Sequence, residues 1–361
     1  MALAERLAEL VSYDTQNPDG EERPLVQRLG AELRALGAAA VNEVEVGDHA
    51  YVYARFGNQP PRVVINAHVD TVPANSGYTS PPHLLVRRGD RFHGLGTADT
   101  KGAIAAVLEA LAAGPVRLPV GVLFSGDEES SGRCIRAFLD SDDARGVERA
   151  IVCEPTRCRV GVRHRGIGAA TVTLEGPGGH SSRVDQLLNP IAVLARAAVA
   201  LDELGASRKT TGPEGFQGLH LNIAALDGGI AFNVVATRAV LSFSLRPAPG
   251  ADVDQLLAEA ERQVRAATAP HPIDWKVELA SPPFATRDLG AFRPLLGERV
   301  AGAVDLGFWT EAARFAERGI DAVVFGPGAV EQAHAADEFV EIAELEQAQA
   351  AFASVLSSGL G

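Results

Sequence analysis

Five short stretches of the chain place imidazoles and carboxylates where they could do chemistry. "NAHVD" sets His68 and Asp70 two apart at the end of the apolar run Val63-Val64-Ile65, "GTADTKG" carries Asp99, "GDEESSG" carries Glu128 and Glu129 side by side, "CEPT" carries Glu154 and "QAHAADE" carries His334. Residues two apart on a strand share a face, so His68 and Asp70 emerge together. Alone, such a pair serves equally well to satisfy a turn. Its company changes the reading, because two imidazoles and several carboxylates recur at strand ends with little basic compensation in the same loops. Carboxylates packed into one cleft repel one another unless a cation sits among them. The economical cation is a divalent metal, and the number of donors suits two.

Nitrogen and oxygen donors suit zinc, and also cobalt or manganese. Two ions about 3.5–4 Å apart need one carboxylate that bridges both. Adjacent glutamates on a loop project in different directions, so one of Glu128 and Glu129 can ligate while the other stays free. A free carboxylate beside a metal-activated water is a natural general base.

These residues need a sheet to hold them. Helical patterns are expected at about 2–12 and 22–37, strands at about 50–56 and 62–67, a helix after Lys101, a strand over 120–126, a helix after Ser130 and a strand over 149–155. Runs such as VVIN and VGVLF are apolar on both faces, as strands covered by helices on each side must be. In an open α/β sheet the carboxyl ends of the strands are where sites are built. From about residue 166 the pattern changes. "IGAATVTLEG" alternates as a half-exposed strand, Asn189-Pro190 opens a helix, strands follow from 220 and 237, a helix from 252 and a strand from 273. That order is βαββαβ, a ferredoxin-like arrangement of one sheet with two helices on one face. The α/β texture returns after about 281 with the helix "TEAARFAERG", the strand "DAVVFG" and a last helix over about 341–357. The fold expected is α/β: a helix-sheet-helix domain made of residues 1–165 and 281–361, interrupted by an inserted domain, 166–280.

Composition bounds the rest. A chain of 361 residues with 46% hydrophobic and 22% charged residues buries a substantial core. Its net charge of -13 argues against nucleic acid or an anionic membrane as partner. The N-terminal stretch is an amphipathic helix pattern without the apolar core and cleavage site of a signal peptide, and no stretch approaches the roughly 20 apolar residues that span a bilayer. The location expected is cytoplasmic. Cys134, Cys153 and Cys158 form no C-x-x-C pair and are odd in number, so they are expected to be reduced and structural, leaving imidazole and carboxylate to hold any metal. Gly94-x-Gly96 lacks the third glycine of a dinucleotide loop. His83, His93, His164, His220 and His271 lie in none of the five stretches and are read as structural.

In order along nearly the whole chain, His68-x-Asp70, "GTADTKG", "DEE", "EPT" and "QAHAADE" resemble the metal motifs of the zinc hydrolase family of acetylornithine deacetylase, succinyl-diaminopimelate desuccinylase, aminoacylase and glutamate carboxypeptidase. Within it, "GLGTAD-x-KG" at 94–102, "RPxPG" at 246–250 and "TEA…GPG…QAH-x-x-DE" at 310–338 are most similar to the deacetylase branch. The resemblance implies that Asp99 bridges two metals, that His68 and Glu154 complete one and Glu129 and His334 the other, that Glu128 is the base, and that Asp70 orients His68. It implies that His180, in "GPGGHSSRVDQLLNP", reaches into a partner's site in a homodimer formed through the inserted lid and dimerisation domain, and that Arg246 and Asn233 bind the substrate carboxylate. It implies a cis peptide between Asp99 and Thr100, where relatives commonly carry Met in place of the Thr. The substrate implied is an N-acyl amino acid, first N-acetylornithine, yielding ornithine and acetate in arginine biosynthesis. A succinyl group, another N-acyl amino acid or a dipeptide are alternatives, and a non-catalytic metal or peptide binder is a distant one.

Overall fold

Short runs that are apolar on both faces make the centre of the sheet. In the computed structural model of the chain, which describes residues 3–358, Val120–Ser125, Val63–His68, Arg149–Val152 and Asp321–Val324 lie side by side in that order, all parallel. Every residue of the first two strands is buried. Two antiparallel strands, His49–Phe56 and then Ala40–Val46, extend the sheet beyond Val120–Ser125.

Helices cover both faces. On one, Leu3–Ser12, Arg23–Ala35, Lys101–Ala113 and Ile342–Ser357 bury Leu7, Leu29, Ile104, Leu108 and Phe352 together with Val52, Val63 and Ile65 of the sheet. The Lys101–Ala113 helix is apolar almost all round, and ten of its thirteen residues are buried, as a helix trapped between sheet and outer helices must be. On the other face Tyr51 and Tyr53 meet Phe138 at ring separations of 6.3 and 5.1 Å, and Phe138 meets Phe315 at 6.4 Å.

Because the four central strands are parallel, their carboxyl ends open at one edge. The register aligns His68 with Ser125, Asn66 with Val152 and Val152 with Val324, so the loops that follow all four strands leave the sheet together. The strand expected over 149–155 stops at Val152, since Pro155 has no N–H to carry a ladder onward. A small sheet of Val86–Arg88, Arg91–His93 and Phe339–Glu341 was not legible in the sequence, nor was Ala40–Val46, whose polar alternation hides a strand paired along a single side.

One unit of the chain ends at Val162 and resumes at Thr286; Arg163–Ala285 forms the other. The second holds an antiparallel sheet in the order His220–Gly228, Arg238–Arg246, Ile167–Glu175, Asp274–Ser281. Ala170, Val172 and Leu174 alternate inward with Ala239, Leu241, Phe243 and Leu245 against the helices Pro190–Ser207 and Val253–Thr268. Both helices begin on side-chain caps: Asn189 accepts from the N–H groups of Ile191 and Ala192, and Asp252 from those of Asp254 and Gln255. The three cysteines are buried and free. Among the described residues no helix is long and apolar enough to cross a membrane.

Candidate active site

The common strand edge gathers the expected residues of the first unit. His68 ends its strand, buried, with Nδ1 2.9 Å from the Asp70 carbonyl oxygen, which takes the ring N–H and turns Nε2 toward Asp99 Oδ1, also 2.9 Å away. Asp99 stands just before the Lys101–Ala113 helix, and the peptide bond between Asp99 and Thr100 is cis, as the resemblance implied. Thr100 donates its hydroxyl to the His68 carbonyl at 2.8 Å, a tie that methionine cannot make. The other Asp99 oxygen, Oδ2, lies 3.5 Å from His334 Nε2, and His334 Nε2 lies 2.8 Å from Glu129 Oε1. Donor atoms of His68, Asp99 and Glu154 fall within 4.8 Å of one another, as do those of Asp99, Glu129 and His334, and those of His68, Glu128 and Glu129. The first two sets share Asp99, one oxygen facing each imidazole.

Asp70 orients the His68 ring as expected, through its main-chain carbonyl at 2.9 Å, with its carboxylate Oδ1 farther off at 3.6 Å from Nδ1. The carboxylate accepts the N–H groups of Glu128 (3.2 Å) and Glu129 (3.0 Å) and the side-chain amide of Asn17 (2.6 Å). Asp70 therefore holds the loop that presents both glutamates. Glu22 holds the same loop from below, accepting the N–H of Asp127 at 2.9 Å and of Ala50 at 3.1 Å while meeting His49 Nδ1 at 2.8 Å.

Asn17, Glu22 and Glu311 are the residues that sequence reasoning missed. Asn17 reads as a turn residue before Pro18. Glu311 was visible only as part of "TEA"; it is buried, accepts the Ser125 hydroxyl at 2.9 Å, and Ser125 accepts from Asn66 at 3.0 Å. No local signal assigns it to the site, because its neighbours come from two other strands.

Charge separates the carboxylates into two kinds. Asp70, Asp127, Glu22 and Glu338 are saturated by backbone N–H groups. Among the described residues, the side chains of Glu128 and Glu154 accept no hydrogen bond of their own. Burial, together with the neighbouring Glu129 and Asp99 charges respectively, pushes both well above the ordinary carboxylate range, and burial with Asp99 nearby raises Glu129. Burial would raise Asp99 too, yet the bonds from His334 and His68 hold it far below its usual value. Burial opposes charge on His68, but Asp70 and Asp99 overrule it and push the imidazole well up; Asp99 and Glu129 raise His334 to about 10. Two imidazoles and three carboxylates that the chain's own donors leave short of partners are the donor set that a pair of divalent cations fits.

In the second unit, His180 lies on the short strand Gly179–His180, paired with Val234–Val235. It is exposed, and its Nδ1 accepts from the Ser182 N–H at 3.2 Å and stands 2.9 Å from the Ser182 hydroxyl, which leaves Nε2 to carry the proton. Asn233 is its neighbour, with its carbonyl accepting the Ser181 N–H at 3.0 Å. Arg246 is exposed at the end of the Arg238–Arg246 strand, its carbonyl held by the Arg165 guanidinium at 3.1 Å.

Residues 64–358 match the model of peptidase family M20/M25/M40, and the chain belongs to that family. It is a hydrolase that acts on amides. It is 37% identical to N-acetyl-L-citrulline deacetylase of Xanthomonas campestris pv. campestris, across 95% of this chain and 94% of that one. It is 30% identical to acetylornithine deacetylase of Photorhabdus laumondii subsp. laumondii, across 80% and 77%. The fold is shared with an M20 family metallo-carboxypeptidase from Sulfolobus solfataricus (TM-score 0.83, 17% identity, 99% of each chain). It is shared also with a protein of Bacillus subtilis described as a dinuclear metal binding peptidase from the M20 family (TM-score 0.71, 15% identity, 98% of this chain and 96% of that one).

The electrostatics predict how the metal-stripped protein responds to pH. In the folded chain His68 and His334 keep protons that unfolded imidazoles lose near neutrality, and burial raises Glu311 to about 7, so this acid, like Glu128 and Glu154, keeps its proton to higher pH than an unfolded carboxylate does. Between about pH 6 and 8 the folded state thus binds more protons than the unfolded one, and stability falls as pH rises. Asp99, shifted the other way, is ionised in both states over this range. The melting temperature of metal-stripped protein should drop by several degrees from pH 6 to 8; a flat or rising profile contradicts the charge assignment.

Proposed function

We propose that the chain is a dinuclear metal-dependent deacylase that removes an N-acetyl group from an amino acid. The observation that carries this reading is the pair of donor sets sharing Asp99, with Glu128 beside them and outside both. His68 and Glu154 would hold one ion, Glu129 and His334 the other, with Asp99 between them. When bound, the ions polarise the scissile carbonyl and make water at the site more acidic. Glu128 takes a proton from that water as its oxygen bonds to the carbonyl carbon. It then delivers the proton to the departing nitrogen as the C–N bond breaks, releasing acetate and a free amine. Burial raises the Glu128 carboxylate above its ordinary range, which suits a group that must take a proton and then give it back. A binder without activity has no use for such a group.

The relatives divide over the substrate. The sequence pattern put N-acetylornithine first; the 37% identity to an N-acetyl-L-citrulline deacetylase, over nearly the full length of both chains, supports reading N-acetyl-L-citrulline as a substrate beside it. Both share the α-carboxylate for which Arg246 and Asn233 are proposed, and an arginine fork binds a carboxylate through two bonds. On zinc-loaded protein, kcat/KM should be at least tenfold higher for N-acetyl-L-citrulline or N-acetylornithine than for N-succinyl-diaminopimelate or simple dipeptides, with Arg246→Ala raising KM more than it lowers kcat. A preference for the succinyl substrate or a dipeptide would move the assignment to another branch of the family.

His180 is proposed to stabilise the oxyanion in the site of a second copy. Support comes from the His220–Gly228 strand, which pairs on one side alone among the described residues, and from Ile230 and Phe232, exposed in the loop that follows it. Glu128→Gln keeps size and removes the base, so kcat should fall by several orders of magnitude, and His180→Ala should be similarly inactive. Mixing the two inactive chains under subunit exchange should restore activity, since a mixed dimer has one intact site. Heterodimers that form and stay inactive would refute action across subunits.

A further inference from the structure

Glu338 closes the stretch that carries His334, and neither donor set includes it. Its side chain is 2% exposed. Oε1 accepts the N–H of Ala98 at 2.8 Å and of Asp99 at 3.0 Å, Oε2 accepts that of Gly96 at 2.8 Å, and its main-chain carbonyl accepts that of Gly94 at 3.0 Å. Of the six N–H groups from Gly94 to Asp99, four end on this one residue, so the loop takes its shape from Glu338 rather than from its own turns. Successive backbone N–H groups converging on one point make an anion-binding concavity. Here the anion is supplied by the chain itself. The geometry is close: Gly96 has φ +80°, and a Cβ there would sit 3.0 Å from Lys101 Cδ and Thr71 Cγ2, so the loop cannot readily be rebuilt around another side chain.

The two strands that flank this contact bring both ligands into register. His93 pairs with Phe339, and His93 Nδ1 meets the Asp337 carbonyl at 2.9 Å, so the segment bearing His334 runs antiparallel to the one bearing Asp99. Glu338 is the tie between them. We propose that Glu338 is a positioning residue for the metal pair: by fixing the Asp99 backbone against the His334 segment, it presets the shared carboxylate and so sets how tightly the two ions bind, without taking part in turnover. The proposal rests on the dinuclear reading above.

Zinc alone, titrated calorimetrically into metal-stripped protein, tests it. Glu338→Gln keeps the side-chain size and turns an NH2 toward N–H groups that need an acceptor. It should weaken zinc binding about 10–100-fold, the usual effect of losing a group that orients a ligand. The metal-free variant should stay folded at the assay temperature, and kcat at saturating zinc should return to within about threefold of the parent, which generic misfolding would not allow. Glu338→Asp, which keeps the charge but falls one methylene short, should bind with intermediate affinity and decides the matter if Glu338→Gln does not fold. Asp337→Asn is the control: its carboxylate accepts from the N–H and hydroxyl of Thr79, not from the 94–99 loop, and zinc affinity should not change. An isotherm for Glu338→Gln or Glu338→Asp that matches the parent, a kcat still down more than about 100-fold at saturating zinc, or an equal loss in Asp337→Asn would overturn the proposal. A parent that binds fewer than two zinc ions would overturn the dinuclear reading first, and is seen before any variant is measured.

Discussion

Buried like charge is the constraint around which the catalytic unit is arranged. Asp70, Glu154, Glu311 and Glu338, buried, and Asp99, Glu128 and Glu129, half-buried, crowd the carboxyl edge of one sheet, where low dielectric makes repulsion expensive. The fold answers in two ways. Asp70 and Glu338 are neutralised by rows of backbone N–H groups, so they can be buried permanently and used as fasteners. Asp99, Glu129 and Glu154 face imidazoles and one another instead, and Glu128 stands beside them without a donor.

The same division explains why fasteners sit one step behind the reacting groups. The Glu128–Glu129 loop is held by Asp70, and Asp70 by Asn17; the Asp99 loop is held by Glu338. Asp99, Glu128 and Glu129 are thus placed through their main chains, leaving the Asp99 and Glu129 side-chain oxygens to face the two imidazoles. Had the fasteners bonded the side chains, they would have satisfied the groups that must take a cation or a proton. Asp70 does both at once: its carbonyl oxygen takes the His68 ring N–H, while its carboxylate serves the opposite loop.

The two donor sets and the residues proposed to meet the substrate lie in different parts of the chain. Every donor of the two sets lies outside Arg163–Ala285, whereas His180, Asn233 and Arg246 lie within it. An insertion with its own core, built on alternating strands and two capped helices, can change its surface residues without disturbing the sheet that carries the reaction. Relatives that share the fold at 15–17% identity include a carboxypeptidase and a dinuclear peptidase, while those at 30–37% are deacetylases.

The sequence by itself determined the texture of the fold and which imidazoles and carboxylates are candidates to hold a metal. Apolar runs such as Val63–Ile65 can only be central strands, the alternation of Ile167–Glu175 can only be a one-faced sheet, and imidazoles and carboxylates at strand ends announce themselves by type and spacing. These are local signals, carried by consecutive residues. Tertiary structure alone decided which groups hold the ligands: Asn17 lies 53 positions from Asp70, Glu311 lies 186 from Ser125, and Glu338 lies 239 from Asp99. A buried carboxylate that binds backbone N–H groups leaves no pattern in the chain, because its partners have no side chain in the contact and their identity is free to vary. Which end of Asp70 serves His68 was likewise undecidable from spacing, since carbonyl and carboxylate belong to the same residue and only the backbone path past the strand end chooses between them.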